Sequence, residues 1–458
     1  MAAAEYNPRR LKKLLTALAG LAALLLLAYA VGSMRWRPSH RAAPPKLGHV
    51  AHGAGPLLAG AAVVALDPPA PTPVAGFPRL HWMEEGRRDP VAVRALVLRE
   101  PGCAVALVSI ETLLVPERLQ RAVERRVRDL AFDAVVMGAT HTHAGPGAYW
   151  DEPLGERLAT GPYQDEAFDH LVDRSVEAVR AAAAALEPAY LSVARGSATA
   201  LVRNRSGSDE VDGRLVIARV AARSGVPVAD VVVYPSHATL LGIENRLISG
   251  DWPGALMRAR TYPVLFFQGA LGDQSPRPPP QAEPTPEAYA KALGARVAAL
   301  AHSRPDPWPE LAVAHASAVL PPPVPGATPP ALRRIAMNLF YDWIPSRARV
   351  AALRLGPVTF LVVPAEPVAA VGRMWRDAAG EGTEVLALSG NYLGYVETSE
   401  RMAEAAGETI RTYYGPELAD RLGGAVRLAS EALGTQRSTA EAVSQNRTDG
   451  TPRASQER

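Results

Sequence analysis

The tightest constraint on this chain is a short β-branched run that stops at glycine and is followed at once by two imidazoles. Asp133-Ala-Val-Val-Met137 leads into Gly138-Ala-Thr-His-Thr-His-Ala-Gly-Pro-Gly147. An apolar run of that length reads as a buried strand. His141 and His143 therefore fall where a strand gives way to a loop. In α/β proteins the carboxyl ends of strands are where ligands are held. If the strand continues through them, the spacing of two puts both rings on one face, where they converge on a metal or a scissile bond. Ala-Gly-Pro-Gly then removes side chains and leaves room beside the rings. Taken alone, such a pair also fits an ordinary polar loop.

The same arrangement recurs along the chain. Val231 to Tyr234 ends in Pro235-Ser236-His237, and Val264 to Phe267 ends in Gln268-Gly-Ala-Leu-Gly-Asp273-Gln274-Ser275. Val358 to Val363 ends at Pro364-Ala365-Glu366-Pro367, and Leu386-Ala-Leu388 runs into Ser389-Gly-Asn391-Tyr392-Leu-Gly-Tyr395. Each residue has an ordinary reading when isolated. His237 fits a satisfied core histidine, and Glu366 fits a cap on a helix running from Val368 to Arg376. Tyr392 and Tyr395 fit packing aromatics, and Ser275 a turn residue. Arg205, in the polar segment after Val202, is either a surface residue or a clamp for a polar head or an oxyanion. Several strands delivering polar groups to one rim are poorly explained by structural roles alone.

Composition narrows the chemistry. The chain has 458 residues and a formal charge of +3, and its basic residues are 45 Arg against 4 Lys, scattered and without aromatic interleaving. That argues against a nucleic-acid partner. Cys103 is the single cysteine, which excludes intrachain disulfides and Cys-rich zinc sites. A metal must then be held by His, carboxylate or Tyr.

Periodicity predicts helices opening at Pro116, with Leu119, Val123, Val127 and Leu130 on one face, over Asp165 to Leu186, and after Thr285-Pro286-Glu287. Hairpins are predicted at Val91–Leu98 with Ala104–Ile110 and at Val350–Leu355 with Val358–Val363. The fold class expected is α/β, a mixed β-sheet core flanked by helices. Before it, the charge-free run from Leu14 to Met34 follows Arg9, Arg10, Lys12 and Lys13. It suffices for one transmembrane helix, and Ala28-Tyr29-Ala30 also fits a signal-peptide cleavage site. Either reading sends the remainder across the membrane, leaving it anchored on the extracytoplasmic side or secreted. We divide the chain into a membrane anchor or signal peptide at 1–36, a tether at 37–56, a catalytic domain at 57–433 and a disordered tail at 434–458.

Six segments in order resemble the N-terminal catalytic domain of the neutral/alkaline non-lysosomal ceramidases: Gly138 to Gly147, Asn204-Arg-Ser, His237-Ala-Thr, Gly272-Asp-Gln-Ser-Pro, Pro364-Ala-Glu-Pro and Asn391-Tyr-Leu-Gly-Tyr. The resemblance covers roughly Leu57 to Gly415. It implies a zinc ion (Zn2+) held by His141, His237, Glu366 and Tyr395, with His143, Arg205 and Ser275 around it. It also implies hydrolysis of the amide of ceramide, or of a related N-acyl lipid, by metal-activated water. His143 is then the proton donor to the leaving amine, and Arg205 and Ser275 hold the polar head or the carbonyl. One departure stands out: the family's second tyrosine falls on Gly407, and Tyr413 or Tyr414 would have to replace it. The alternatives are a catalytically weak zinc-containing lipid-binding protein of the same fold, an amidase or esterase on another substrate, and a metal-free serine hydrolase using Ser275, His237 and Asp251. The sequence leaves the oligomeric state open.

Overall fold

A computed structural model describes residues 8–33, 43–78, 83–326, 328–340 and 344–448. Two sheets packed face to face carry the fold, and helices cover the outer face of each. The larger sheet has eight strands in the spatial order Val264–Gln268, Pro227–Tyr234, Arg214–Ala222, Glu187–Ser197, Leu58–Ala65, Ala92–Glu100, Cys103–Ile110, Ala134–Ala139. The smaller has five, ordered Lys46–His52, Leu311–Val319, Arg347–Leu355, Val358–Val362, Thr383–Leu386. Both are mixed, with parallel pairing at Cys103–Ile110 with Ala134–Ala139, at Pro227–Tyr234 with Val264–Gln268, and at Val358–Val362 with Thr383–Leu386.

The sequence pattern follows from this layering. In Ala92–Glu100, Leu96 and Leu98 face the other sheet while Val93, Ala95 and Val97 face helices. Both faces are buried, so the strand reads as a continuous apolar run and not as an alternation. Helices Glu117–Arg126 and Asp165–Ala184 pack on one outer face, and Ala369–Ala379 with Leu418–Thr448 on the other. Asp251–Arg258 and Pro286–Ala299 cover the far end of the large sheet. Leu119 and Val123 are buried on Glu117–Arg126, while Arg118 and Arg121 face outward to Asp151 and Glu117. Thr285 caps the helix that it opens, accepting from the Ala288 amide at 3.2 Å.

Two boundaries differ from the composition-based ones. Lys46–His52, read as tether, is an edge strand paired with Leu311–Val319. Its glycine and two histidines hide a strand because it is mostly exposed. The last helix continues from Leu418 through Thr448, across most of the stretch read as a tail; residues 449–458 lie outside the described residues. The apolar run forms the helix Pro8–Ser33, and its segment Lys12–Tyr29 is long and apolar enough to cross a membrane, with none of it buried against the domain.

The sheets join where their strands end. Ala139 donates to the Leu388 carbonyl (3.3 Å), Ala387 to Gln268 (2.8 Å) and Gly390 to Met137 (3.0 Å). Thr142 also bridges Ala238. The polar segments after four strands therefore meet in one place.

Candidate functional site

The Ala134–Ala139 strand stops two residues before the first histidine, and His141 takes a left-handed backbone with φ of +65°. That is an uncommon conformation for a side chain of this size, of the kind that clusters at active sites. The turn, not strand alternation, brings the two rings together, edge to face with centroids 4.7 Å apart. His141 Nδ1–H donates to the Leu113 carbonyl at 2.7 Å, and His237 Nδ1–H to the Gln274 carbonyl at 2.9 Å. Fixing the proton on Nδ1 leaves each Nε2 lone pair pointing inward.

Glu366 and Tyr395 arrive side by side, as registered partners of a short parallel pair. Glu366 Oε2 lies 3.3 Å from His141 Nε2 and 3.1 Å from His237 Nε2. The Tyr395 hydroxyl is 3.0 Å from His237 Nε2. Glu366 Oε2 is buried and has no hydrogen-bond partner. Ligand atoms 2.0–2.1 Å from a tetrahedral zinc stand about 3.3 Å from each other. The donor set therefore fits a divalent cation, and the orphaned carboxylate oxygen is what that cation would satisfy. His141, His143 and His237 also place ring nitrogens within 4.8 Å of one another. Of the residues expected as ligands, Glu366 turns Oε2 to both Nε2 atoms and Tyr395 turns its hydroxyl to that of His237, while His143 is the partly buried ring against Phe77.

Electrostatics favour His237 and Glu366 as ligands, whereas burial and then the Glu366 charge push the Tyr395 phenol well above its usual range. Burial, and then the charges of His141 and His237, push His143 well below its usual value. Burial and then Arg205 lower His237 to about 4. Burial alone would raise Glu366, but the two imidazoles hold it well below the usual carboxylate range. An ionised carboxylate is the state a cation needs.

Around this core the structure distributes other roles. Arg205 donates from Nε to Glu408 (2.9 Å) and from Nη2 to the Tyr395 hydroxyl (3.0 Å) and the Gly272 carbonyl (2.9 Å). Asn204 ties its segment to Asp273 Oδ2 at 2.6 Å, and the Arg205 amide donates to the Asp273 carbonyl. Asp273 Oδ1, not Glu366, accepts from the Ala369 amide at the start of Ala369–Ala379. Ser275 sits beside Gln274 in a short strand opposite Arg203. Among the described residues no hydrogen bond joins its hydroxyl to the imidazoles or Glu366. The serine-hydrolase arrangement does not form either: Asp251 Oδ2 accepts from Leu241 and Oδ1 from Trp252, while His237 Nδ1 is taken by a carbonyl.

Gly407 has φ of +64°, and a Cβ there would strike the Glu397 carboxylate and the Arg401 guanidinium. A side chain here would be strained by the left-handed backbone and would displace those two groups. Tyr414 does not replace one, since its hydroxyl donates to the Pro345 carbonyl at 2.6 Å. Tyr413 packs edge-on against Tyr392, centroids 6.1 Å apart.

Two further residues hold the site. The Tyr392 hydroxyl donates to Glu366 Oε1 at 2.8 Å, which leaves Oε2 as the free oxygen. Gln268, fully buried, donates from Nε2 to the Thr140 and Ser236 carbonyls (2.9 Å each) and accepts from the Ser236 amide (3.1 Å). It clamps the two histidine-bearing segments. A Gln directly before the Gly269-Ala-Leu-Gly turn was the available signal.

The N-terminal-domain profile of the neutral/alkaline non-lysosomal ceramidases matches residues 67–259. A neutral ceramidase of Mycobacterium tuberculosis is 32% identical over 202 residues, 39% of this chain and 31% of that protein. Over residues 67–259 the chain is thus similar to the N-terminal domain of the neutral/alkaline non-lysosomal ceramidases. The Pseudomonas aeruginosa neutral ceramidase is 26% identical over 162 residues, 31% of this chain and 24% of that protein. The crystal structure of neutral ceramidase from that organism superposes with a TM-score of 0.72 at 19% identity, covering 84% of this chain and 75% of that one. A second structure, a ceramidase complexed with C2, gives 0.70 at 18% identity. The fold is thus that of a neutral ceramidase, while the matched sequence spans about a third or less of these curated relatives' length.

Proposed function

We propose that this chain is a metal-dependent hydrolase that cleaves the amide of ceramide or a closely related N-acyl lipid, giving a sphingoid base and a fatty acid. The observation that carries the reading is the buried, unpartnered Glu366 oxygen facing His141 and His237, in a family whose named relatives are neutral ceramidases. Two imidazoles, a carboxylate and a phenol match zinc. When bound there, zinc supplies a Lewis acid and a water whose pKa falls to about 7.

The chain's own groups do the rest. His143 stands 3.2 Å from His141, with its Nδ1 buried and unpartnered. Kept neutral by burial, it is suited to take the proton from the attacking water and return it to the nitrogen as the C–N bond breaks. Arg205 holds the Tyr395 hydroxyl in place and brings positive charge to the rim where the carbonyl oxygen becomes negative. Ser275 is assigned to the polar head of the substrate.

Gly407 motivates a second reading, a lipid-binding protein with little turnover. Removing one oxyanion donor costs roughly 100- to 1000-fold in rate. Hydrolysis of a fluorescent short-chain ceramide by the full chain, abolished by a chelator and by His141→Ala, supports the enzyme. Stoichiometric zinc with no release of fatty acid from any N-acyl lipid supports the binder. We assign this activity to a membrane with the apolar helix Pro8–Ser33 as its anchor, or to the outside of the cell if that helix is removed as a leader.

A further inference from the structure

The tether and an apolar groove leave the small sheet at the same end. Lys46 is registered with Ser317, close to the end of Leu311–Val319, and Pro44 and Pro45 lie beside Ala318. Residues 34–42 are all that separate Ser33, the end of the apolar helix, from Ala43. Even fully extended they reach no more than about 35 Å. A domain on so short a leash, if the helix spans a bilayer, rests against that bilayer with this end of the sheet toward it.

What the chain builds there is apolar. After Val319 it forms a proline-rich loop and the helix Arg333–Phe340, which lies against the helix Pro8–Ser33. A groove of about 350 Å³ opens between this segment and residues 399–417, lined mainly by Pro322, Val324, Met337, Met402, Ala403 and Pro416, with the exposed Arg333 and Glu417 also on its lining. Leu332 is 49% exposed and Ile410 69%. Ile410 follows Thr409, whose carbonyl packs on Gly326 of the groove. Gly326 donates to the Thr412 carbonyl at 3.0 Å, and Thr412 bridges Gly394, the neighbour of Tyr395. Backbone contacts thus link the groove to the segment that carries Tyr395.

We propose that this face docks on the lipid bilayer, with Leu332 and Ile410 in the boundary between headgroups and acyl chains and the groove open to the membrane. An exposed apolar surface next to a helix long and apolar enough to span is what an interfacial contact requires. The inference deepens the lipid-amidase reading and rests on it for its purpose, but not for its geometry.

The test uses the full chain in phosphatidylcholine nanodiscs carrying spin-labelled lipid. A fluorophore is attached at Leu332→Cys, Ile410→Cys or, as the control, Val226→Cys, which is 62% exposed on a turn of the large sheet. Cys103 is buried at 2% and contributes no background labelling. Docking predicts emission falling about two-fold at positions 332 and 410 and unchanged at 226, since only groups immersed in the interface meet the quencher. Equal quenching at all three positions, or none at 332 and 410, overturns it. In parallel, Leu332→Glu with Ile410→Glu lowers hydrolysis of ceramide embedded in vesicles about ten-fold and leaves a water-soluble short-chain amide untouched. Unchanged hydrolysis of both contradicts docking and leaves the enzyme reading intact. No hydrolysis of either substrate by the unmodified chain contradicts the enzyme reading, and the quenching result still decides docking.

Discussion

At the residue scale the site depends on which oxygen of Glu366 is free. Tyr392 binds Oε1, and Oε2 is left facing His141 and His237. Tyr392→Phe lets the carboxylate rotate, and partners of this kind are worth about 10- to 100-fold in metal affinity. Titration with a competing chelator is expected to show that loss, with zinc-saturated turnover less affected than affinity. That His141, His237, Glu366 and Tyr395 come together was an expectation of the sequence, because each follows an apolar strand-like run and because six segments kept a family's order. Tyr392 was not, since a phenol three residues before another looks like packing until its hydroxyl is seen to reach a carboxylate.

At the scale of elements, the hairpin Ala92–Glu100 with Cys103–Ile110 was legible from its Pro-Gly turn, whereas the seam it forms with the small sheet was not. Glu100 sits in that seam, 3% exposed, with Oε1 unpartnered. Burial and then the charges of Asp306 and Glu310 raise it from 4.5 to about 8, against a hydrogen bond from Leu311. The folded state keeps a proton that the unfolded chain loses above pH 4.5, so stability falls as pH rises from about 5 to 8. Glu100→Gln should remove that slope and gain on the order of 2 kcal/mol at pH 8. Urea unfolding at pH 5.5 and 8 measures it, and equal gains at both pH values would refute the assignment. Gly407 is the opposite case. Its φ and the Glu397 and Arg401 groups beside it predict that Gly407→Tyr costs roughly 2 kcal/mol or more without restoring an oxyanion donor. A rate increase in that variant would show the loop to be remodelled.

The whole molecule is two sheets whose strand ends are sewn together around His141, His237, Glu366 and Tyr395. The sheets' existence followed from short apolar runs, but their face-to-face packing and the Gln268 clamp depend on contacts between residues far apart in sequence, which periodicity does not report. Because His141 and His237 follow strands of the large sheet and Glu366 follows one of the small, a bound cation ties the layers together. A ligand at 100 times its dissociation constant adds about 2.7 kcal/mol. Removing the metal is therefore expected to lower the melting temperature by roughly 5 °C, and zinc to restore it. His141→Ala should melt at the lower temperature with or without zinc.

The central claim is that His141, His237, Glu366 and Tyr395 hold one catalytic cation. Elemental analysis of the purified full chain, paired with ceramide hydrolysis before and after chelation, tests it most directly. The account predicts one zinc per chain, hydrolysis lost with the metal and regained on its return. Undiminished hydrolysis by chain stripped of all metal would contradict it.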